Sequence, residues 1–153
     1  VFRAVILISP GFGSSAAGLY RPFAPLFPLM AQKRGILKRF LRSMVNSLSE
    51  ELLNAMLDDA MLVTRDTWAT VMHPSNRLHD LTPLRQVHVP ILVVIGGRDT
   101  VISVKHQSHL ATLLPNARQV VLEREGHGMV GEQPEAVFQA IRHFLEQLQG
   151  PPM

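Results

Sequence analysis

The 153-residue chain contains no cysteine and only one tryptophan and one tyrosine. The missing cysteines exclude disulfides, zinc ribbons, iron–sulfur ligation and a cysteine nucleophile. No apolar run approaches the ~20 residues that a membrane-spanning helix needs, so no membrane span is expected. Because Tyr and Trp are scarce, the chain offers few platforms on which nucleic-acid bases could stack. We therefore expect a soluble, cytoplasmic protein that does not bind nucleic acid.

Acidic residues are absent before Glu50, and this first stretch holds seven basic residues. It carries +7 and the remainder −4, which together give the net charge of +3. Apolar residues from Ile36 to Leu48 repeat at helical intervals, and Lys38, Arg39 and Arg42 fall on the opposite side. This spacing favours a solvated helix face over a nucleic-acid-binding arm. A basic amphipathic helix of this kind would also suit a membrane surface.

Three short apolar runs rich in β-branched residues predict buried parallel strands at Ala4–Ile8, Ile91–Ile95 and Gln119–Leu122. A helix is predicted over Val104–Leu114, with Ser103 as its N-cap, because apolar positions recur at helical spacing. A last helix is predicted from Pro134 to about Leu148. The order strand, helix, strand, helix predicts a parallel α/β sheet.

The segment between the first two strands contains no strand-like run and several helical ones. These predicted helical stretches are Phe23–Met30, Ile36–Leu48, Glu50–Leu62 and a region around Trp68. Ligands in open α/β sheets bind at the carboxyl edge of the strands, and an inserted block of helices would cover that edge. We therefore predict a core formed by residues 1–10 and 90–150, with residues 11–89 as a helical cap.

Two loops that follow predicted strands carry the candidate catalytic residues. Asp99 follows Gly96-Gly97-Arg98, and His127 lies between two glycines after the third strand. A carboxylate that accepts a hydrogen bond from one ring nitrogen fixes the histidine tautomer and leaves the other nitrogen as a general base. Taken singly, Asp99 is as readily a turn residue and His127 an ordinary surface residue. Their combination at adjacent strand ends predicts an acid–histidine pair.

These segments resemble the α/β-hydrolase superfamily. Val89–Asp99 is similar to its strand and acid loop, and Gly126-His127 with the helix that follows is similar to its histidine loop and last helix. Arg3–Gly11 resembles the strand that follows the nucleophile helix, and the order of acid before histidine agrees. The likeness covers nearly the whole chain and is nearest in character to the meta-cleavage-product hydrolases. It implies the C-terminal part of that fold, a Ser-His-Asp triad containing Asp99 and His127, and no cofactor.

The superfamily's G-x-S-x-G nucleophile elbow has no clear counterpart in this sequence. The resemblance places it about one helix before Val1, on the order of 20 residues upstream. Ser15, within Gly13–Ala17, matches the motif loosely, and Pro10-Gly11 separates it from the strand. We therefore expect the isolated 153 residues to be inactive. We also expect them to form homo-oligomers or aggregates rather than monomers, because the first strand would have an unpaired edge.

The resemblance implies a small apolar ester or ketone-like substrate, including a C–C bond next to a carbonyl. The predicted substrate-binding residues are Phe12, Trp68, Met129 and Val130, each of which would serve equally well in core packing. Two alternatives stay open: an Asp nucleophile, as in epoxide hydrolases and dehalogenases, or a catalytically inactive fragment or interaction module. His106 and His109 have the spacing of a metal pair, but no third ligand is evident, so no metal site is expected.

Overall fold

The computed structural model describes residues 2–11, 26–45, 47–72 and 80–149. Three strands, β1 (Val5–Ile8), β2 (Ile91–Gly96) and β3 (Ala117–Leu122), form a parallel sheet in the order β1-β2-β3. Cα partners across the sheet include Ile6 with Leu92 and Val93 with Gln119. The predicted parallel α/β sheet is thus confirmed, with β2 at its centre.

Helices cover both faces of this sheet: α5 (Val104–Leu113), α6 (Met129–Glu132) and α7 (Pro134–Gln149). Ile91 and Val93 of β2 pack with Leu110 of α5, whereas Leu92 and Val94 pack with Phe144 of α7. Successive side chains of a strand point to opposite faces, and both faces are covered here. Every residue of β2 is therefore buried.

Most of the predicted core elements are confirmed, with small differences at their ends. The Ser103 side chain accepts a hydrogen bond from the His106 amide at 3.4 Å, as expected of the N-cap of α5. Strand β3 begins at Ala117, two residues earlier than predicted. The extra residues include Arg118, which is exposed, so hydrophobicity alone does not mark them as part of a strand.

Among the described residues between β1 and β2, four helices form what we call the helical block: α1 (Phe27–Met30), α2 (Arg34–Met44), α3 (Glu50–Leu62) and α4 (Arg65–Met72). It has its own core, in which Leu53 and Leu57 are fully buried. The Phe27 ring meets the rings of Phe40 and Trp68 edge-on, with centroids 4.9 and 5.2 Å apart. A 3₁₀ turn (Thr82–Gln86) then leads into β2.

Helix α3 has the predicted bounds, whereas α2 ends at Met44, four residues before the predicted end. The chain turns extended at Val45, with φ −132° and ψ 115°, and then leads to α3. In the described ranges, no helix is both long enough and apolar enough to cross a bilayer.

Basic residues of α2 form ion pairs with acidic residues of α3. Arg34 pairs with Asp58, and Lys38 and Arg42 both pair with Glu50, the Lys38 nitrogen lying 2.7 Å from a carboxylate oxygen. The hydrogen bond from Lys38 and, to a smaller extent, the one from Arg42 lower the pKa of Glu50. Three basic residues of α2 therefore join it to α3 at the protein surface.

Candidate active site

Two loops at the carboxyl edge of the sheet lie against each other. One follows β2 and carries Asp99, and the other follows β3 and carries His127. The Gly97 amide donates to the Leu122 carbonyl at 2.9 Å, and the Arg98 amide donates to the Glu125 carbonyl at 2.8 Å. Because β2 and β3 are parallel neighbours, both loops leave the sheet at the same edge. These hydrogen bonds then fix one loop to the other.

Two glycines at the end of β2 allow this close approach. A Cβ atom on Gly96 would lie 2.6 Å from the Gly126 carbonyl oxygen, and one on Gly97 would lie 2.7 Å from the Glu123 Cα. Both obstacles are backbone atoms, which cannot rotate away as a side chain can. Glycine is therefore required here by the space between the loops.

The Asp99 carboxylate accepts four hydrogen bonds. Its Oδ1 accepts from the amides of Val101 and Ile102 at 2.9 and 2.8 Å. Its Oδ2 lies 2.9 Å from Nε2 of Gln107 and 3.0 Å from Nδ1 of His127. Burial alone would raise the pKa of Asp99, but the bonds from His127, Ile102 and Val101 outweigh it. The pKa therefore lies below its usual value of 3.8, and Asp99 is ionised at neutral pH.

The bond to Asp99 also determines which ring nitrogen of His127 carries the proton. An ionised carboxylate can only accept, so Nδ1 of His127 donates to it. In the neutral ring, Nε2 is then the unprotonated nitrogen that can accept a proton from a nucleophile or water. The Asp99 side chain is fully buried, whereas that of His127 is 25 % exposed. Such a pair has the geometry of a general base held by a buried acid.

The helical block rests directly on the histidine loop. A Cβ atom on Gly128 would lie 2.2 Å from a Val45 methyl carbon, and one on Gly131 would lie 2.6 Å from a methyl carbon of Leu48. The Ser47 amide donates to a Glu132 carboxylate oxygen at 2.7 Å. The segment between α2 and α3 thus contacts the residues that directly follow His127.

A cleft of about 530 Å³ opens between the end of α2 and the two loops. Its lining includes Met44 and Ser47 from the helical block, Arg98 beside Asp99, and Arg124 and Glu125 before His127. The charges of both signs give this cleft a polar lining. It borders the backbone on either side of the acid–histidine pair.

The residues predicted to bind substrate lie in different surroundings where the structure describes them. Trp68 packs against Phe27 inside the helical block, and Met129 is fully buried between the sheet and α7. Val130 is 55 % exposed. Phe12 lies outside the described residues, as does Ser15, the loosely matching serine. Substrate binding by these residues stays a prediction.

Two buried polar residues, Gln107 beside Asp99 and Ser9 at the end of β1, were not predicted from the sequence. Gln107 is completely buried, at a position of α5 where the helical spacing of Val104, Leu110 and Leu114 calls for an apolar residue. A polar residue on the apolar face of a predicted helix indicates a specific buried partner, and this pattern could have identified Gln107 from the sequence. Ser9, at the end of β1, is buried and adopts φ 45°, an unfavourable conformation before proline. No sequence pattern marks that conformation.

Comparison with known proteins places this architecture in a family. A family model described as "TAP-like protein" matches residues 65–152, more than half of the chain, including both loops of the site. The chain belongs to the TAP-like family of α/β hydrolases. The predicted superfamily and the partial α/β-hydrolase fold are thereby confirmed.

Several known proteins are similar to this α/β hydrolase in sequence or in fold. A polyketide synthase, ThaQ of Burkholderia thailandensis, is 27% identical over 95% of the chain, and the match covers 7% of that protein. The esterase YbfF of Escherichia coli is 36% identical over 37% of the chain and 22% of its own length. Among solved structures, the bromoperoxidase from Bacillus anthracis has a TM-score of 0.79 at 14% identity, covering 94% of this chain and 58% of that one.

The shares covered show how much of each relative this α/β hydrolase matches. The chain corresponds to less than a quarter of either curated relative and to 58% of the bromoperoxidase structure. At 14% identity, the structural match shows a shared fold. The family assignment therefore places the chain in the α/β-hydrolase superfamily.

Proposed function

We propose that this α/β hydrolase cleaves an ester or related carbonyl bond through a Ser-His-Asp triad. In it His127 is the general base, Asp99 is the acid that orients it, and the serine comes from a segment encoded before Val1. The observation that carries the proposal is the 3.0 Å contact between His127 Nδ1 and Asp99 Oδ2. The esterase among the relatives supports the ester as the substrate class.

The position of β1 supports a nucleophile upstream. Strand β1 is at one edge of the sheet, next to the strand that carries the acid loop. Its residues pack on both sheet faces, Leu7 with the α5 side and Ile6 with the α7 side. A further parallel strand beside β1 would end at the same carboxyl edge as Asp99 and His127. A serine in the turn after that strand would face the histidine.

The proposed reaction proceeds in two transfers to the carbonyl carbon. The serine hydroxyl gives its proton to His127 Nε2 as its oxygen bonds to the carbonyl carbon, and the carbonyl electrons move onto oxygen. When the tetrahedral intermediate collapses, the bond to the alcohol breaks and the alcohol leaves with the proton from Nε2. Water then bonds to the acyl carbon as Nε2 takes its proton. When this second intermediate collapses, the bond to the serine oxygen breaks, the serine regains the proton from Nε2, and the acid is released. Asp99 stays ionised and stabilises the charged ring in each step.

The helical block acts as the cap over this site in our proposal. Its contacts with Gly128 and Gly131 hold it against the histidine loop. The cleft between α2 and the two loops is then the approach for substrate, and its polar lining favours the polar part of the ester. The acyl or ring portion would contact apolar residues of the cap.

The test compares His127→Ala and Asp99→Asn in the intact protein, meaning this chain with the residues encoded before Val1. Hydrolysis of p-nitrophenyl acetate and butyrate is measured by nitrophenolate release. We expect kcat to fall by about 10⁴-fold or more in both variants, because a triad acts as a unit. Matched controls are His88→Ala and Asp59→Asn, both exposed and outside the site, which should stay within about twofold of wild type.

The nucleophile is identified in the same preparation. A fluorophosphonate probe reacts with activated serines, and mass spectrometry of the labelled peptide locates the modified residue. Labelling of a serine before Val1, lost in His127→Ala, agrees with the proposal. Labelling of Ser9 or Ser15 would overturn the upstream assignment. Turnover with an oxygen isotope from water entering an aspartate would instead indicate the carboxylate mechanism of epoxide hydrolases and dehalogenases.

A further inference from the structure

Gln107 connects helix α5 to the acid loop at the point where Asp99 meets His127. Its Nε2 lies 2.9 Å from Asp99 Oδ2 and 2.7 Å from the Ile102 carbonyl oxygen. Gln107 is completely buried, as is the Asp99 side chain. Both N–H bonds of the amide are therefore used, one on the carboxylate and one on the loop that carries it.

The orientation of this amide is dictated by its partners. Both groups facing Nε2 are acceptors, a carboxylate and a carbonyl, so the reversed amide would place an acceptor against two acceptors. In the described part of the chain, Gln107 Oε1 is buried without a hydrogen-bond partner. An unpaired buried carbonyl lowers stability, and an apolar side chain on α5 would avoid that loss. In exchange for that loss, the two N–H groups of Gln107 bind the Asp99 carboxylate and the Ile102 carbonyl of its loop.

The remaining donors to Asp99 do not replace Gln107. The Val101 and Ile102 amides are two and three residues from Asp99 in its own loop, and they bind Oδ1. Oδ2, the oxygen that His127 contacts, has only Gln107 as a second donor among the described residues. Without Gln107, the carboxylate would be held by its own loop and by the base that it is meant to orient.

We propose that Gln107 is a positioning residue, which holds Asp99 Oδ2 in place so that His127 keeps the productive tautomer and ring orientation. The inference rests on the proposed function, since it assigns Gln107 a role behind the Asp99–His127 pair. Gln107 does not touch substrate in this arrangement. Gln107 acts on the Asp99 carboxylate, and the carboxylate in turn orients the His127 ring for proton transfer to Nε2.

The experiment compares Gln107→Met with Leu110→Ala in the intact protein. Methionine has nearly the length and shape of glutamine and lacks its donors, whereas Leu110 is buried on the same helix in an apolar cluster with Ile91 and Val93. Both variants should lower Tm. We expect only Gln107→Met to lower kcat, by about tenfold to a hundredfold, with KM nearly unchanged. In ¹⁵N NMR, only this variant should change the ring-nitrogen shifts of His127. If Gln107→Met does not fold, Gln107→Asn, too short to reach Asp99, serves instead.

Each outcome decides between the two ideas. Loss of turnover in Asp99→Asn and His127→Ala, with the expected kcat loss in Gln107→Met alone, supports both. Loss of turnover in the first two, with wild-type kcat in the Gln107 variant, overturns the positioning role and leaves the triad. Equal kcat losses in Gln107→Met and Leu110→Ala would overturn the positioning role, because they would show that Gln107 affects turnover only through packing. Normal turnover in Asp99→Asn and His127→Ala would overturn the triad itself.

Discussion

Gly96→Ala perturbs the contact between the acid loop and the histidine loop with a single methyl group. The new Cβ would lie 2.6 Å from the Gly126 oxygen and 2.8 Å from the Glu125 oxygen. In a close-packed interior the loops would have to separate by roughly 0.6–0.8 Å before these contacts became ordinary. Backbone hydrogen bonds join the same loops two residues away, so that movement is resisted.

Forcing a methyl group into a packed site costs about 1–3 kcal/mol, and rigid backbone obstacles place this case toward the upper end. For a protein of this size each kcal/mol shifts Tm by about 2–4 °C, so we expect a fall of about 4–12 °C. Gly35→Ala is the matched control, because nothing lies within 4 Å of its Cβ position in α2. Gly35→Ala should stabilise the protein by roughly 0.5–1 kcal/mol, because alanine loses less backbone freedom than glycine when a helix forms.

Unfolding in urea, followed by far-UV circular dichroism, gives the free energy of unfolding for both variants. The difference between them isolates the steric term, because each gains the same restriction of the unfolded chain. We expect the two to differ by about 2–4 kcal/mol. If the free energy of unfolding of Gly96→Ala lies within about 0.5 kcal/mol of the wild-type value, the predicted clash is refuted. A change that small is typical of exposed positions and would mean that the two loops are not in contact there.

Three further perturbations test other parts of the structure. The pKa of Asp99 is lowered by folding, so its ionised form stabilises the protein above pH 3.8, and this contribution is lost as pH falls through the folded-state value. The stability difference between wild type and Asp99→Asn should therefore shrink from pH 7 to pH 3.5 in urea titrations, and a constant difference would contradict it. Gly128→Ala should destabilise by about 1–3 kcal/mol through its clash with Val45. Adding Val45→Ala should restore part of that loss in a double-mutant cycle, whereas simple additivity would contradict the contact. Leu53→Ala should cost about 2–5 kcal/mol, since the side chain is fully buried in the helical block. Fluorescence of Trp68, the only tryptophan, reports on that core, and an unchanged unfolding midpoint would argue against its packing.

Elements whose signals are local were predictable from the sequence. Helix α3 carries a serine cap and acids in its first turn, and its bounds, Glu50–Leu62, agree with prediction. The all-apolar run of β2 likewise identified a central strand. The end of α2 was not predictable, because Val45 leaves the helix to lie over Gly128, a residue 83 positions later in the chain.

The sequence by itself determined that this protein has a parallel α/β sheet with an acid and a histidine on adjacent strand-end loops. Apolar periodicity and chain order are enough for that, because parallel neighbours must present their carboxyl ends together. Only the tertiary structure decided that His127 Nδ1 lies 3.0 Å from Asp99 and that Gln107 joins them from α5. It also decided that Gly96 has no room for a methyl group. These facts depend on contacts between residues distant in sequence, and they follow from packing three layers together.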